Sequence, residues 1–270
     1  MRRFQLLSGL TLVGLVIGAG LVSLLWTPFD PLQVVPPDKL ARPGWPHLLG
    51  ADGLGIDIAS QLLVGARTCL LVGIVSVGLA VLFGVPLGMV AGLAGGWVDE
   101  VVMRVADVVY AFPALLLAIL LAATFGASTM TAMAAIGVAT IPAFARVARA
   151  GTLQVKASDF VLAARASGTS RWAIAVRHVA PNIAPVVGVQ ASVGFAMAIL
   201  AEAALSYLGL GTPPPTPTWG RMLRDAQGFM FTAPEQALWP GLAIALAVLG
   251  FNLLGDGLRD VLDPRLRGVA

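Results

Sequence analysis

The chain has 270 residues, of which 58% are hydrophobic and 11% are charged. A soluble domain is about 45–50% apolar and about 25% charged, so this composition excludes an ordinary soluble domain and indicates a membrane protein. The net charge of +3 is small, and the single cysteine, Cys69, excludes a disulfide framework within the chain.

The first apolar stretch follows Arg2 and Arg3 and covers residues 6–26. The apolar region of a cleaved signal peptide is usually about 7–15 residues long. This stretch has about 20 residues, the length that crosses a hydrocarbon core of about 30 Å. We therefore predict an uncleaved first spanning helix, with the two arginines anchoring its inner end.

Further apolar stretches follow along the chain, each close to the length of a membrane span. The six predicted spans cover residues of about 5–26, 68–92, 110–126, 129–146, 184–207 and 238–256. We expect an all-α transmembrane fold, in which residues 1–270 form one domain, a six-helix polytopic bundle.

Lysines and arginines are distributed unequally between the two sides of these spans. If the N-terminus is cytoplasmic, the inner segments hold twelve of them and the outer segments hold five. Inner loops of membrane proteins are enriched in Lys and Arg. We therefore expect both termini in the cytoplasm, outer loops at 27–67 and 207–238, and a basic inner segment at 159–182.

The first outer loop is rich in proline and glycine, and it ends in turns that lead into a short helix at 59–66. Asp52 and Asp57 are expected to cap those turns, because their spacing fits no familiar calcium loop. The second outer loop contains a proline-rich run at 213–217, which predicts a stiff, extended surface strap.

Gly84, Gly88 and Gly92 recur every four residues on one face of the second span. Small residues at this spacing let a neighbouring helix approach closely. Tight packing inside the bundle and a face that meets a second chain both remain open. Pro86 and Pro142 lie inside spans and should bend them.

The sequence contains no familiar catalytic motif. The only lysines, Lys39 and Lys156, do not follow a glycine, so no Gly-x-x-x-x-Gly-Lys-Ser/Thr phosphate loop exists. His-Glu-x-x-His, Gly-x-Ser-x-Gly and Cys-x-x-Cys are absent too. His47 and His178 fall on opposite sides in the expected topology and share no metal site. We expect no catalysis by this chain and no cofactor or metal bound to it.

One acid falls within a span. Glu202 lies near the outer end of the fifth span, where a buried carboxylate is costly and needs a cavity or a partner. It could line a solute pathway or serve as a proton site. It could also be structural, and Arg67 at the outer start of the second span is a candidate partner for an ion pair.

The segment 159–182 is strongly polar in an otherwise apolar chain. A basic helix on anionic lipid, a plain solvated loop and a docking element for a soluble partner are three interpretations. Residue types favour helices at 160–167 and 170–179, with a turn at Gly168 and an end at Pro181. We call residues 159–182 the knob, because two short helices crossing at a glycine favour a compact docking element.

The knob resembles the conserved cytoplasmic loop of permease subunits in binding-protein-dependent ABC importers. That family's pattern is Glu-Ala-Ala, three residues, Gly, nine residues, Ile, one residue and Leu-Pro. The residues that match at the same spacing are Ala163, Ala164, Gly168 and Pro181. The residues that depart from it are Leu162, His178 and Ala180. The run at 163–182 resembles the form usual in the peptide/nickel permease group.

Other stretches resemble the same group, and its C-type subunit in particular. They cover residues 28–31, 49–57, 95–107, 202–211 and 255–265. The resemblance therefore extends over the chain from about residue 28 to residue 267.

The resemblance implies a non-catalytic subunit of an importer in a bacterial or archaeal cytoplasmic membrane. This subunit and a homologous, longer B-type subunit would form a heterodimeric, alternating-access pathway through the lipid bilayer. Two ATPase subunits would bind ATP and Mg on the inner side. An extracytoplasmic binding protein would deliver the solute to the outer loops, and no nucleic acid is implied.

The resemblance also makes the knob a coupling loop that fits a groove in an ATPase subunit. The coupling residues that it implies are Phe160, Ala163, Ala164, Arg165, Gly168, Arg171, Trp172, Arg177, His178 and Pro181. Among the apolar anchors we would count Ile174 as well. The three arginines would supply charge at the rim of the contact.

The expected solute is inferred from the permease group that the chain resembles, because single residues do not indicate it. Its members carry di- and oligopeptides, glutathione, opines, nickel or metal chelates, and no candidate pathway residue here is a strong metal ligand. We expect peptide uptake, with glutathione and nickel or metal chelates as alternatives. From another class, an ATP-independent channel or a proton-coupled carrier built on Glu202 is the alternative, but it would not need the knob.

Overall fold

The computed structural model describes residues 2–262, most of which are helical. In chain order the helices are α1 (Arg2–Leu25), α2 (Ile58–Ala94), α3 (Gly96–Ala111), α4 (Ala114–Phe125), α5 (Thr129–Lys156), α6 (Asp159–Ala166), α7 (Arg171–Ile174), α8 (Ala180–Tyr207), α9 (Trp219–Ala226) and α10 (Glu235–Leu262). Within the described part, α1, α2, α5, α10 and the continuous α7–α8 helix are long and apolar enough to cross a membrane. The bent pair α3–α4 makes a sixth span if it is counted as one. The expected all-α polytopic fold is confirmed.

The third span differs from the predicted stretch at 110–126. The structure places two helices here, and they meet at an angle of 80°. Phe112 ends α3 with an extended backbone (φ −83°, ψ 120°), and Pro113 follows it. Proline disfavours helical backbone at the residue before it, so the chain turns sharply where the sequence pattern suggested a straight span.

The second span also differs from its prediction. The short helix expected at 59–66 and the span expected at 68–92 form one helix, α2. The Asp57 side chain accepts a hydrogen bond from the Ser60 backbone N–H at 2.7 Å and caps the helix at this end. Asp52 likewise accepts from backbone N–H groups of its own turn. The capping roles predicted for both acids are confirmed.

The second half of the knob is not a separate short helix. Residues Arg171–Tyr207 form one continuous helix, which passes through a π-helical turn at Ala175–Val179. Pro181 follows this wider turn without ending the helix. Proline leaves a gap in the ladder of backbone hydrogen bonds, and the wider π-helical turn lies where that gap falls. The Asn182 side-chain amide donates to the neighbouring His178 carbonyl at 2.6 Å. The expected stop at Pro181 is therefore wrong.

The glycine face of α2 packs against α5 within the same chain. A Cβ placed on Gly88 would lie 2.1 Å from the Ala145 carbonyl oxygen. A Cβ on Gly92 would lie 2.8 Å from the Thr152 side chain, and Gly84 is similarly crowded by α5. Only glycine permits this approach of two helix backbones. The face that the sequence left open is therefore an internal packing surface.

The segment between α8 and α10 lies against the ends of neighbouring helices. Trp219 Nε1 donates a hydrogen bond to the Leu62 carbonyl of α2 at 3.0 Å. A Cβ on Gly220 would lie 2.1 Å from the Ala203 carbonyl oxygen of α8. This part of the predicted second outer loop is therefore a docked helix, α9, that covers one end of the bundle.

Candidate functional site

The knob has a small apolar core of its own. Val161 on α6 is fully buried and packs with Ile174, Val179 and Ile183 of the helix that follows. Ala148 of α5 belongs to the same cluster. The cluster fixes α6 against both helices that flank it, so that the knob is held as one body with the adjoining ends of α5 and α8.

A left-handed glycine ends α6. Gly168 has φ +81°, and a Cβ placed on it would meet no atom within 4 Å. The Thr169 N–H donates to the Ala164 carbonyl at 3.0 Å, and the Gly168 N–H donates to the Arg165 carbonyl at 3.0 Å. This is the arrangement in which a left-handed residue satisfies the last carbonyls of a helix. Glycine is needed here for backbone conformation and not for space.

Large apolar side chains lie exposed on the knob. Phe160 is 49% exposed, Leu162 is 50% exposed and Trp172 is 78% exposed. Ile174 is 2% exposed and belongs to the internal core. The expectation that Ile174 is a surface anchor is therefore wrong, because its position on the helix points towards α6. Leu162, which departs from the family pattern, is a further exposed apolar side chain on this surface.

Basic side chains surround these apolar groups. Arg165, Arg171 and Arg177 are exposed, and none of them forms an ion pair with another residue in the range 2–262. The centroid of the His178 ring lies 6.1 Å from that of the Phe160 ring, so the π-helical turn contacts α6. The other candidate coupling residues vary in exposure. Ala163 and Pro181 are exposed, and Ala164 is partly buried.

Two ion pairs join α3 to α5, near the point where α5 leads into the knob. Arg149 Nη2 donates to Asp99 Oδ2 at 2.6 Å, and its Nε donates to the other oxygen of the same carboxylate. Arg146 Nη2 donates to Asp107 Oδ1 at 2.8 Å. Sequence reasoning counted the two arginines only as inner-side charges. The pattern that could have indicated these ion pairs is two acids spaced two turns apart on α3 and two arginines spaced one turn apart on α5.

Lys156 binds the end of α2. Its Nζ donates to the carbonyl oxygens of Gly92 at 3.1 Å and Leu93 at 2.9 Å. These carbonyls belong to the last turn of α2, where a cation is favourable because the final carbonyl groups lack helical partners. The last turn of α5 is thereby tied to α2, two residues before α6 begins.

Glu202 is 2% exposed and has a hydrogen-bonding partner on its own helix. The Ser206 hydroxyl donates to Glu202 Oε1 at 2.6 Å, and the Thr212 backbone N–H lies 3.4 Å from the same hydroxyl oxygen. Arg67 is exposed and forms no ion pair with a described residue. The suggested pairing of Arg67 with Glu202 is therefore wrong. The carboxylate instead bonds Ser206 of its own helix, and the Ser206 hydroxyl links α8 to the loop that follows it.

His47 bridges two carboxylates in the first predicted outer loop. Its Nδ1 lies 2.9 Å from Asp57 Oδ1, and its Nε2 lies 3.3 Å from Asp38 Oδ2. Burial lowers the pKa of His47, but the hydrogen bonds and charges of the two aspartates outweigh burial and raise that pKa above its ordinary value. Because the ring lies between the acids, the three groups do not converge. Within residues 2–262, no three His, Cys, Asp or Glu side chains are placed to hold a metal ion.

Comparison with known proteins gives a consistent result. The family model described as "Binding-protein-dependent transport system inner membrane component" matches residues 84–268. A dipeptide transport system permease protein of Alkalihalophilus pseudofirmus is 40% identical over 264 residues, which cover 96% of this chain and 86% of that protein. A glutathione transport system permease protein of Pectobacterium atrosepticum is 44% identical over 241 residues, which cover 89% and 80%. Its namesake in an Escherichia coli strain is 40% identical over 268 residues, which cover 99% and 88%.

Proposed function

Because the chain belongs to the family of binding-protein-dependent transport system inner membrane components, we propose that it forms one half of the pathway through which an ABC importer takes up peptides. The chain is a multi-pass membrane permease of such an importer. An importer of this type works with a partner permease, with ATPase subunits and with a solute-binding protein. The proposal adds a B-type partner in a heterodimer, two ATPase subunits and the site at which one of them docks.

The exposed apolar surface of the knob carries the proposal for coupling. Phe160, Leu162 and Trp172 expose large apolar area on a body that is fixed by its own core. An exposed apolar patch with a basic rim is typical of a surface that binds a protein partner. Arg165 and Arg171 would meet acidic groups at the edge of the groove in the ATPase subunit. This chain contributes no nucleotide-binding motif, so ATP and Mg would be held by the ATPase subunits.

Continuity between the knob and a spanning helix supports a mechanical role. The second half of the knob is the first part of the helix Arg171–Tyr207, and α6 follows α5 after two residues. A displacement of the knob would therefore move two spanning helices directly. Closure of the ATPase subunits would then favour one of two arrangements of the pathway.

The proposed orientation places the knob and both termini in the cytoplasm. It is supported by the excess of Lys and Arg in the inner segments. The same orientation places the loops around His47 and α9 outside, where the binding protein would dock. The membrane would be the cytoplasmic membrane of a bacterium or archaeon.

The names of the relatives support a peptide as solute. They refer to dipeptides and to glutathione, which is itself a tripeptide. We propose a short peptide for this chain, with glutathione as the alternative that these names also favour. A nickel or metal-chelate solute has no such support from these names. The ATP-independent channel or carrier has no support from these names either. Its candidate residue, Glu202, accepts a hydrogen bond from Ser206 on its own helix.

Cross-linking and uptake test the proposal together. In the assembled complex, a Trp172→Cys variant should cross-link to an ATPase subunit through a short thiol-reactive linker. A Trp45→Cys variant is the matched control, because Trp45 is also strongly exposed but lies in the proposed outer loop. Vesicles containing the wild-type complex and its binding protein should accumulate labelled dipeptide only with ATP. Cross-linking from position 45 in place of 172 would overturn the orientation, and uptake of nickel or glutathione without dipeptide would overturn the solute.

A further inference from the structure

Two arginines of α5 hold α3, and each of them contacts α3 at two points. The guanidinium of Arg149 contacts both oxygens of the Asp99 carboxylate, a geometry that fixes direction as well as distance. Two turns further along α3, Asp107 binds Arg146, whose guanidinium carbon lies 4.4 Å from the centroid of the Tyr110 ring. The two arginines are one turn apart on α5, so they hold α3 along its length and not at a single point.

Other attachments of α3 are few. Of its sixteen residues, Ala106 alone is buried. At the start of the helix, Gly95 and Gly96 have φ +68° and +56°, and a Cβ on either would meet no atom within 4 Å. At its end the chain bends by 80° before α4 begins. A turn with two left-handed glycines and a sharp bend therefore flank α3, and the ion pairs to α5 fix its orientation on that helix.

α5 leads from these ion pairs to the knob. Arg149 lies two turns before the end of α5, and α6 begins after the two residues 157–158. The knob core includes Ala148, the neighbour of Arg149. A displacement of the knob would thus reach Arg149 through a continuous helix and through packed side chains.

We infer that Asp99 and Arg149 are positioning residues for transport, which make α3 move with α5 and so pass the displacement of the knob to the bent α3–α4 segment. This inference rests on the function proposed above. The pair acts through helix position and touches neither solute nor nucleotide. Both side chains are partly exposed, and the pair fixes the position of α3 rather than the packing of the bundle, because the glycine contacts of α2 with α5 remain when the pair is removed. Loss of the pair should therefore uncouple the complex without unfolding it.

Charge removal and charge exchange in the full complex test this inference. The variants are Asp99→Asn, Arg149→Gln and the double variant Asp99→Arg with Arg149→Asp. The quantity measured is peptide taken up per ATP hydrolysed, together with the amount of assembled complex. Each single variant should keep its ATPase activity and assembly but lose severalfold in uptake per ATP. The exchanged pair should recover most of that loss, which assigns the loss to the ion pair, and unchanged assembly and hydrolysis distinguish uncoupling from a structural defect.

Glu100→Gln is the matched control, because Glu100 lies beside Asp99, is exposed and forms no ion pair with a described residue. This variant should behave as the wild type. Wild-type uptake per ATP in Asp99→Asn would overturn the inference alone. So would a parallel fall of uptake, hydrolysis and assembly, because that result assigns the pair a structural role. Absence of ATP-dependent peptide uptake by the wild-type complex in the same preparation would overturn the proposed function, and the inference with it.

Discussion

Gly88 lies so close to Ala145 that a Cβ on the glycine would stand 2.1 Å from the alanine carbonyl oxygen. Because the obstacle is backbone and not a flexible side chain, α2 and α5 would have to separate to accept even a methyl group. A Gly88→Ala variant should therefore lose about 1–3 kcal/mol of stability. The measurement is the apparent melting temperature of the purified chain in detergent, which should fall.

Gly78 provides the control on the same helix. A Cβ at Gly78 would meet no atom within 4 Å. Alanine is a better helix former than glycine by roughly 0.5–1 kcal/mol, so Gly78→Ala should leave the melting temperature unchanged or raise it. Equal melting temperatures for the Gly88→Ala and Gly78→Ala variants would contradict the close approach of the two helices.

Gly168 should affect coupling through its backbone conformation. Non-glycine residues with left-handed backbone cost about 1–2 kcal/mol, least for asparagine and most for β-branched residues. Among the three variants, uptake per ATP should therefore be highest for Gly168→Asn, lower for Gly168→Ala and lowest for Gly168→Val. The turn is exposed, so the membrane fold and its melting temperature should persist in all three variants. Normal uptake per ATP in vesicles with Gly168→Val would contradict the proposed role of this turn.

Two prolines show how far the sequence could predict the fold. The pattern that predicted a span at 110–126 overlooked Pro113, which does break the helix, whereas Pro181 was expected to end a helix and does not. The same residue type gives opposite outcomes because a π-helical turn accommodates Pro181 within a continuous helix, whereas the chain bends at Pro113. Hydrophobicity predicted five spans at their approximate positions, and a sixth only if the bent pair α3–α4 is counted as one. It carried no information on these local effects of proline.

The candidate site likewise contains features that could be predicted from the sequence and features that could not. Gly168 could be predicted as a turn because glycine tolerates left-handed backbone, and the structure has it there. Ile174 could not be distinguished from Trp172, because exposure depends on which side of the helix faces the core. The bond between Asp99 and Arg149 spans fifty positions in the sequence. Charge alone did not indicate it, since either residue could have faced water.

His47 should make the stability of the predicted first outer loop depend on pH. Hydrogen bonds to Asp57 and Asp38 outweigh burial and raise the pKa of His47 in the folded chain above the ordinary value of about 6.5. The stabilisation is then fully present below about pH 6.5 and is lost as pH rises through the folded-state pKa. The rate of limited proteolysis of the loop should therefore increase as the pH rises from mildly acidic to alkaline.

Two histidine variants check that assignment. His47→Gln cannot be protonated, so the rate of cleavage should lose this pH dependence. His178→Gln removes the other histidine, which lies in the knob, and should leave the pH dependence intact. Faster cleavage at acidic than at alkaline pH in the wild type would contradict the sign derived for His47.

Glu202 should matter for packing rather than for proton transfer. Glu202→Gln keeps an oxygen that accepts from the Ser206 hydroxyl, so uptake and melting temperature should stay close to the wild type at every pH tested. Glu202→Leu removes that acceptor in a buried place, which costs about 1–3 kcal/mol, and should lower the melting temperature. Arg67→Ala should change neither quantity, because Arg67 is exposed and is not paired with Glu202. Loss of uptake in an assembled Glu202→Gln complex would instead assign the carboxylate to the solute pathway.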